Sequence, residues 1–496
     1  MDAFLSKHKR KIAGTLSCVD RIVFKGYLPI SWADAFESFL SRNQCLIKDF
    51  QPFVQKLSAQ VKTAAQQAAE EAGRPYIYLN HQQRKEELVK QIAHRDDIHE
   101  GLVCVLAATE ACQSFRIVYG NGRPVLKNAR RKCLCIYYYF IDPVFGLLHI
   151  RIQTWMPLNI QICMNGHEWL ERQLKENEIG YTKDDNCFSA IDDFDKAQAL
   201  SVRFEKQDWP LVLAELARRV NPLLKSTLNG MHYYWVCDQM EYATDIVFKK
   251  PFPELYGKLL NHSIVRMGAR DILTFLGKVF DGRFKGKQQN HCRIRQPGAR
   301  VKHWMKRNWI KMYNKNSTVL RVEAVINHPY DFRIYRSGRR SGKTIHGWFP
   351  MSKCVANLYR YVEICLGANR RYLDALASVD DPGPSRRELK ELGQRVIRKG
   401  RPISGFNPAQ PETAKLFKAV LKGDYIIQGF RNADIRESLF GTRVSAKRKK
   451  RLSAKVCRLF KKLHTRGLIA KIPHSRRWRI TRKGVRVLGP LVEAYA

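Results

Sequence analysis

Four carboxylates stand in strand-like stretches where acids are uncommon. Asp20 interrupts CVDRIVFKG, Glu241 and Asp245 lie four residues apart in EYATDIVFKK, and Glu323 lies in VLRVEAVINHP. Metal-assisted phosphodiester cleavage draws two to four carboxylates together around Mg²⁺ ions about 4 Å apart, often from several strands of one sheet. Asp20, Glu241, Asp245 and Glu323 are therefore the catalytic candidates, with Mg²⁺ as cofactor only under that reading. Each has a plainer alternative, because an isolated acid among bases serves as an ion-pair partner. Arg321 and Glu323 share a strand side opposite Leu320, Val322, Ala324 and Ile326, and Lys311 is expected on the facing strand. Arg21 or Lys25 offers the same to Asp20.

Other chemistries leave weaker marks. There is no Cys-x-x-Cys, no Gly-x-x-x-x-Gly-Lys phosphate loop and no glycine-rich dinucleotide fingerprint. Cys133 and Cys135 alternate on one strand side, and Cys163 and His167 straddle a strand–helix turn. Both pairs read as buried structural thiols, so no metal ligand is assigned.

A second kind of pattern mixes bases with aromatics. In KHWMKRNWIKMYNKNSTVLRVEAVINHP, Lys302, Lys306, Arg307, Lys311 and Lys315 interleave with Trp304, Trp309 and Tyr313. Cations track a phosphate backbone while aromatic rings stack on unpaired bases, which suits single-stranded or structured RNA. Arg333, Arg336, Arg339 and Arg340 continue the basic series. The IKMYNK…LRVE portion is similar to the Lys-Tyr-Lys hairpin of phage and plasmid replication initiators. That resemblance would make Tyr313 a nucleophile, but the His-hydrophobic-His metal pair that accompanies it is absent.

Charge distribution says where such residues concentrate. The 496 residues carry 88 Lys+Arg against 45 Asp+Glu, a formal charge of +43. Residues 1–250 hold 33 basic and 29 acidic side chains, whereas residues 251–496 hold 55 and 16. The second half thus supplies a polyanion-binding surface, and nucleic acid is the expected partner. Hydrophobic content of 45% excludes a disordered basic tail. Apolar stretches of about ten residues are too short to span a bilayer, so no membrane partner is expected. The basic start carries no signal-peptide pattern, and 13 scattered cysteines fit reduced thiols. A cytoplasmic, nucleoid-associated or RNA-bound location follows as the expectation.

The elements that must position these groups form an α+β protein: an antiparallel meander sheet with helices, followed by a C-terminal winged helix. A strand is expected over Thr15–Phe24 and helices over Ala64–Ala72 and Gln82–Ile98. Five short strands follow, at Leu102–Ala108, Ser114–Tyr119, Cys133–Ile141, Leu147–Thr154 and Asn159–Met164, separated by turn signals. Further strands are expected at Tyr233–Cys237 and Thr244–Phe248, a hairpin around Asn314–Thr318, and helix over 347–378. The domain division reads as a near-neutral platform over 1–250, a basic module over 251–379, a linker over 380–411 containing Asp380–Pro384, and a terminal domain over 412–496.

In that terminal domain, Glu412–Lys422, Asn432–Phe440 and Ala446–Leu463 read as three helices. Leu468–Ile472 and Arg477–Ile480 read as a hairpin. The third helix buries Leu452, Val456, Leu459, Phe460 and Leu463 and presents Arg451, Lys455, Arg458 and Lys462 on the other face. The region resembles the winged helix-turn-helix domain, in which the third helix enters the major groove and the hairpin touches backbone or minor groove. The resemblance implies helix contacts from Lys449, Lys450, Arg451, Lys455, Arg458 and Lys462, and wing contacts from Lys471, Arg476, Arg477 and Arg479. Scarce Asn and Gln on the helix point to phosphate contacts over base reading.

Stretches such as SCVDRIVFKGYLPI, RIQTWMPLNIQICMNGHEWLERQL and GFRNADIRESLF look like a widespread prokaryotic protein family over nearly the whole chain. That resemblance carries over an architecture but neither catalytic residues nor a substrate. A basic body plus a winged helix accompanies mobile elements by association. The expectation is a nucleic-acid-binding protein, a mobile-element or ribonucleoprotein component contacting structured RNA or DNA mainly through phosphates. The alternatives are a Mg²⁺-dependent nuclease or transposase and a DNA-binding transcriptional regulator.

Overall fold

A computed structural model of the chain describes all residues except 80–83, 121, 266, 268, 279–287, 296–297, 341, 378, 380–385, 399, 409, 422–424, 426–428, 443–444 and 494–496. The Asp380–Pro384 boundary lies outside the described residues. The chain forms two compact units that do not follow sequence order. One comprises Thr15–Thr244 and Val325–Glu363; the other comprises Met1–Gly14, Asp245–Ala324 and Ile364–Ala496.

The first of these units holds strands β1 (Ile12–Tyr27, from Thr15 onward), β2 (Tyr76–Tyr78), β3 (Gly101–Gly120), β4 (Arg123–Asp142), β5 (Gly146–Gln153) and β6 (Ile160–Met164). It also holds the small hairpin β7 (Tyr181–Asp184) and β8 (Cys187–Ile191), and most of β9 (Tyr234–Phe248). Its sheet runs β9-β1-β6-β5-β4-β3-β2. The β3–β6 stretch is the expected meander, but the sheet as a whole is mixed. β2 pairs in parallel with β3, Tyr76 against Val105, and β1 joins the meander at β6 rather than at its own sequence neighbour. The reason lies in the connections: long helices such as Phe50–Glu71 follow β1, and a helical crossover permits pairings that a tight turn forbids.

Strands β3 and β4 run 20 residues each, where short pieces were expected. Glu110 and Gln113, in the gap between the expected pieces Leu102–Ala108 and Ser114–Tyr119, stay within the strand because each finds partners. Glu110 accepts from Lys85 and Arg151, and Gln113 donates to Ser31 O. Likewise β9 is one strand, since Asp238 is held by Lys25 and Lys353. After Val325 the chain forms an exposed hairpin, β14 (Arg333–Arg340) with β15 (Lys343–Pro350), where helix had been expected from residue 347. The helix begins only at Leu358 and ends at Leu376.

The other unit holds β10 (Gln288–Arg295), β11 (Gly298–Met305), β12 (Asn308–Lys315) and β13 (Val319–Ile326, to Ala324), in that order in the sheet. Asn316 and Ser317 both take positive φ between β12 and β13, the backbone of a two-residue hairpin turn. One side of β11–β12, with Val301, His303, Met305, Ile310 and Met312, is buried beneath helices that include Pro253–Val265 and Ala269–Phe275. His303 Nε2 lies 2.9 Å from Tyr372 Oη, which donates in turn to Ser263 Oγ.

Burial lowers the His303 pKa to about 3 from about 6.5 when exposed. The unfolded chain therefore binds the extra proton between these values, and stability falls as pH drops from about 6.5 towards 3. The slope from this group is at most about 1.4 kcal/mol per pH unit. Urea titrations between pH 7 and 4 check this, and His303→Gln should flatten that part of the profile.

The C-terminal part of this unit has its own core. Phe417, Val420, Phe430, Ile435, Val456, Phe460, Leu463, Leu468, Ile480 and Leu488 cluster together. Apart from Phe430 and Leu468, they come from helices Pro411–Val420, Asn432–Phe440, Ala446–Thr465 and Arg482–Glu493 and from β19 (Trp478–Ile480), which pairs with β18 (Ile469–Lys471). A short hairpin, β16 (Val396–Arg398) with β17 (Arg401–Ile403), precedes them. No helix among the described residues is long and apolar enough to cross a membrane.

Candidate nucleic-acid interface and carboxylate cluster

The basic-aromatic pattern of β11 and β12 becomes a surface because alternate residues share a side. Register pairs Lys302 with Lys311, Arg300 with Tyr313 and Trp304 with Trp309, and this side is half-buried. The two indoles lie 4.8 Å apart, and Lys302 Nζ sits 3.7 Å from the Trp304 ring centre and 3.5 Å from that of Trp309. The ammonium thus lies over both rings, an arrangement worth about 0.5–2 kcal/mol per contact. Lys306 and Arg307 form the exposed turn, with Lys306 at positive φ, and Lys315 is half-buried at the far end of β12.

The β14–β15 hairpin extends this chemistry in a way the sequence reading missed. Arg333, Arg336 and Arg339 are exposed, as are Tyr335 (55%) and Trp348 (65%), whose rings meet edge-on 5.9 Å apart across the strands. The Arg340 side chain lies outside the described residues. Alternation of aromatic and basic residues over 333–350 was the available signal, hidden by the apolar run that begins the following helix.

On the helix Ala446–Thr465, Lys449, Lys450, Arg451, Lys455 and Arg458 are all exposed. Val456, Phe460 and Leu463 face the core. Lys455 has Glu412 at 3.7 Å. Lys462 departs from this face: it is half-buried over Phe406, and burial lowers its pKa. In the hairpin, Lys471 and Arg476 are exposed, while Arg477 donates to Gly429 O and Arg479 is half-buried.

Two carboxylates are placed by β1 and β9. Ser17 lies opposite Thr244, their hydroxyl oxygens 3.0 Å apart, and the position of Gly26 adjoins Trp235, so the strands run antiparallel and set Asp20 opposite Glu241. Gly166, where an added Cβ would sit 2.3 Å from Val19 O, lets the next helix start directly against β1. His167 follows, buried, with Nδ1 3.2 Å from Asp20 Oδ1, and Asn186 donates to the same oxygen at 2.7 Å. Gln239 donates to Glu241. Cys163, the expected neighbour of His167, instead accepts from Arg21 Nε, and Cys18 Sγ takes its place 3.3 Å from His167 Nε2.

Glu323 accepts from Lys311 Nζ and from Tyr313 Oη, the facing-strand pairing foreseen for it. Asp20 and Glu241 are buried, and each offers a carboxylate oxygen within 4.8 Å of the other. Two such charges repel by about 3–4 kcal/mol at an effective dielectric of about 20, so the group favours nearby cations. Asp245 is engaged differently. Arg321 grips it in a two-pronged pair, Nε–Oδ1 and Nη2–Oδ2 both 2.7 Å, with both side chains buried. No protein-family profile matches the chain, nor does any curated protein or solved structure.

Proposed function

We propose that this chain binds nucleic acid, gaining affinity mainly through phosphates, as a ribonucleoprotein or mobile-element component. The observation that carries the reading is the exposed row Lys449, Lys450, Arg451, Lys455 and Arg458 on a helix whose apolar stripe is buried in its own core. Three helices and a hairpin in the order found here fit a winged helix, with the basic helix as groove reader. The β11–β12 side and the exposed Tyr335 and Trp348 add ring surfaces suited to unpaired bases. Purification should yield protein with bound nucleic acid, visible as a high 260/280 absorbance ratio. Collapse of that ratio under RNase identifies RNA as the partner, collapse under DNase identifies DNA, and a low ratio at low salt opposes the reading.

A second reading adds cleavage, and the observation favouring it is the proximity of the buried carboxylates Asp20 and Glu241. Their oxygens would hold Mg²⁺, which would supply charge neutralisation at a phosphoryl group. His167 and Asn186 would then orient Asp20, and Gln239 would orient Glu241. Under this reading a labelled single strand is cut only with Mg²⁺, and Asp20→Asn or Glu241→Gln lowers the rate at least about a hundredfold. Equal rates in chelator oppose it.

A further inference from the structure

A group of three thiols lies in the sheet of the unit containing β3, β4 and β5. Cys112 on β3 and Cys133 and Cys135 on β4 have their sulfur atoms within 4.8 Å of one another, and Cys112 Sγ is 3.3 Å from Cys135 Sγ. Accessibility is 4%, 9% and 0% respectively, within a cluster that includes Val89, Val103 and Leu106. Arg151 on β5 points its guanidinium at them: Nη2 is 3.3 Å from Cys112 Sγ and 3.0 Å from Cys135 Sγ, while Nε donates to Glu110. Glu110 also accepts from Lys85 and from the Tyr137 hydroxyl.

This is not the environment of inert buried thiols, which apolar surroundings keep protonated. Arg151 places a fixed cation within hydrogen-bond distance of two of the three sulfurs, a setting that favours thiolate over thiol. By contrast Cys104, also buried on β3, is raised to about 12 by burial alone.

We propose that Cys112, Cys133 and Cys135 form a three-thiolate seat for one thiophilic divalent metal ion of the zinc class. A zinc–sulfur bond of about 2.3 Å places three ligating sulfurs about 4 Å apart, so the present spacing needs little movement. Binding as three thiolates releases the thiol protons to solvent. Charge then closes: three thiolates and a divalent cation leave one negative charge, which Arg151 offsets, and Lys85 offsets Glu110. Arg151 becomes a positioning residue whose N–H groups hold two ligand sulfurs. The seat is separate from the nucleic-acid reading and stands or falls without it.

The test uses the full chain, reduced and stripped of metal, titrated with Co²⁺ as the probe. The expected result is an intense sulfur-to-cobalt charge-transfer band that saturates at one ion per chain and is bleached by one equivalent of Zn²⁺. Cys112→Ser and Cys135→Ser should each weaken binding at least about tenfold, while Cys104→Ser leaves it unchanged. In the unaltered protein, one equivalent of Zn²⁺ should also slow alkylation of these three cysteines at least tenfold by mass mapping, a readout independent of whether the variants fold. No charge-transfer band, or alkylation at equal rates with and without Zn²⁺, overturns the proposal.

Discussion

Replacing Lys449, Lys450, Arg451, Lys455 and Arg458 together with alanine should cut nucleic-acid affinity by two to three orders of magnitude near 100 mM salt. The side chains are exposed along one helix whose opposite face packs on Phe430 and Ile435, so their removal leaves the core intact. If each contacts one phosphate, each releases about 0.9 counterion on duplex DNA. The slope of log affinity against log salt should become shallower by about 4.5, a change that mere loss of folded protein does not produce. Two controls sharpen the result. Lys462→Ala should change the slope little, because that side chain lies over Phe406 and reaches Gly405 O. Thermal unfolding of the five-fold variant should stay within a few degrees of the parent, as expected for exposed positions.

The second large effect concerns stability. Asp245→Ala leaves the Arg321 guanidinium, 0% exposed, without the carboxylate that accepts two of its N–H groups. Breaking one partner of such a pair costs about 3–5 kcal/mol. Replacing both, as Asp245→Leu with Arg321→Met, should recover most of the loss, because the two charges of the pair leave the interior together. Denaturant midpoints of the parent, Asp245→Leu, Arg321→Met and the double replacement form the double-mutant cycle that checks this. The same argument bears on function. Loss of activity in Asp245→Ala would report unfolding rather than chemistry, so Asp20→Asn and Glu241→Gln are the informative changes for cleavage.

Local pattern carried the sequence reading where one element acts by itself. The helix Asn432–Phe440 has the bounds expected, and Ala446–Thr465 extends the expected helix by two residues, because a 3.6-residue stripe and flanking glycines report on a single helix. Glu323 and its Lys311 partner were legible for a similar reason: a short hairpin fixes register, and register fixes neighbours. Elements stabilised from afar were not. The unbroken β3 depends on Lys85 and Arg151, which lie 25 and 41 residues from Glu110. Cys112 escaped notice because it meets Cys135 only through the long β3–β4 pairing, 23 residues apart. His167 reaches Asp20 across 147 positions because Gly166 admits a close approach to β1, a tertiary circumstance that composition does not announce.

The most direct test of the central claim is equilibrium binding of the unaltered protein to a labelled single strand and a labelled duplex between 50 and 200 mM salt. With six or more phosphate contacts from the basic helix, its adjoining hairpin and β11–β12, affinity for at least one ligand should fall about a thousandfold or more across that range. An affinity that stays flat across it would contradict the account.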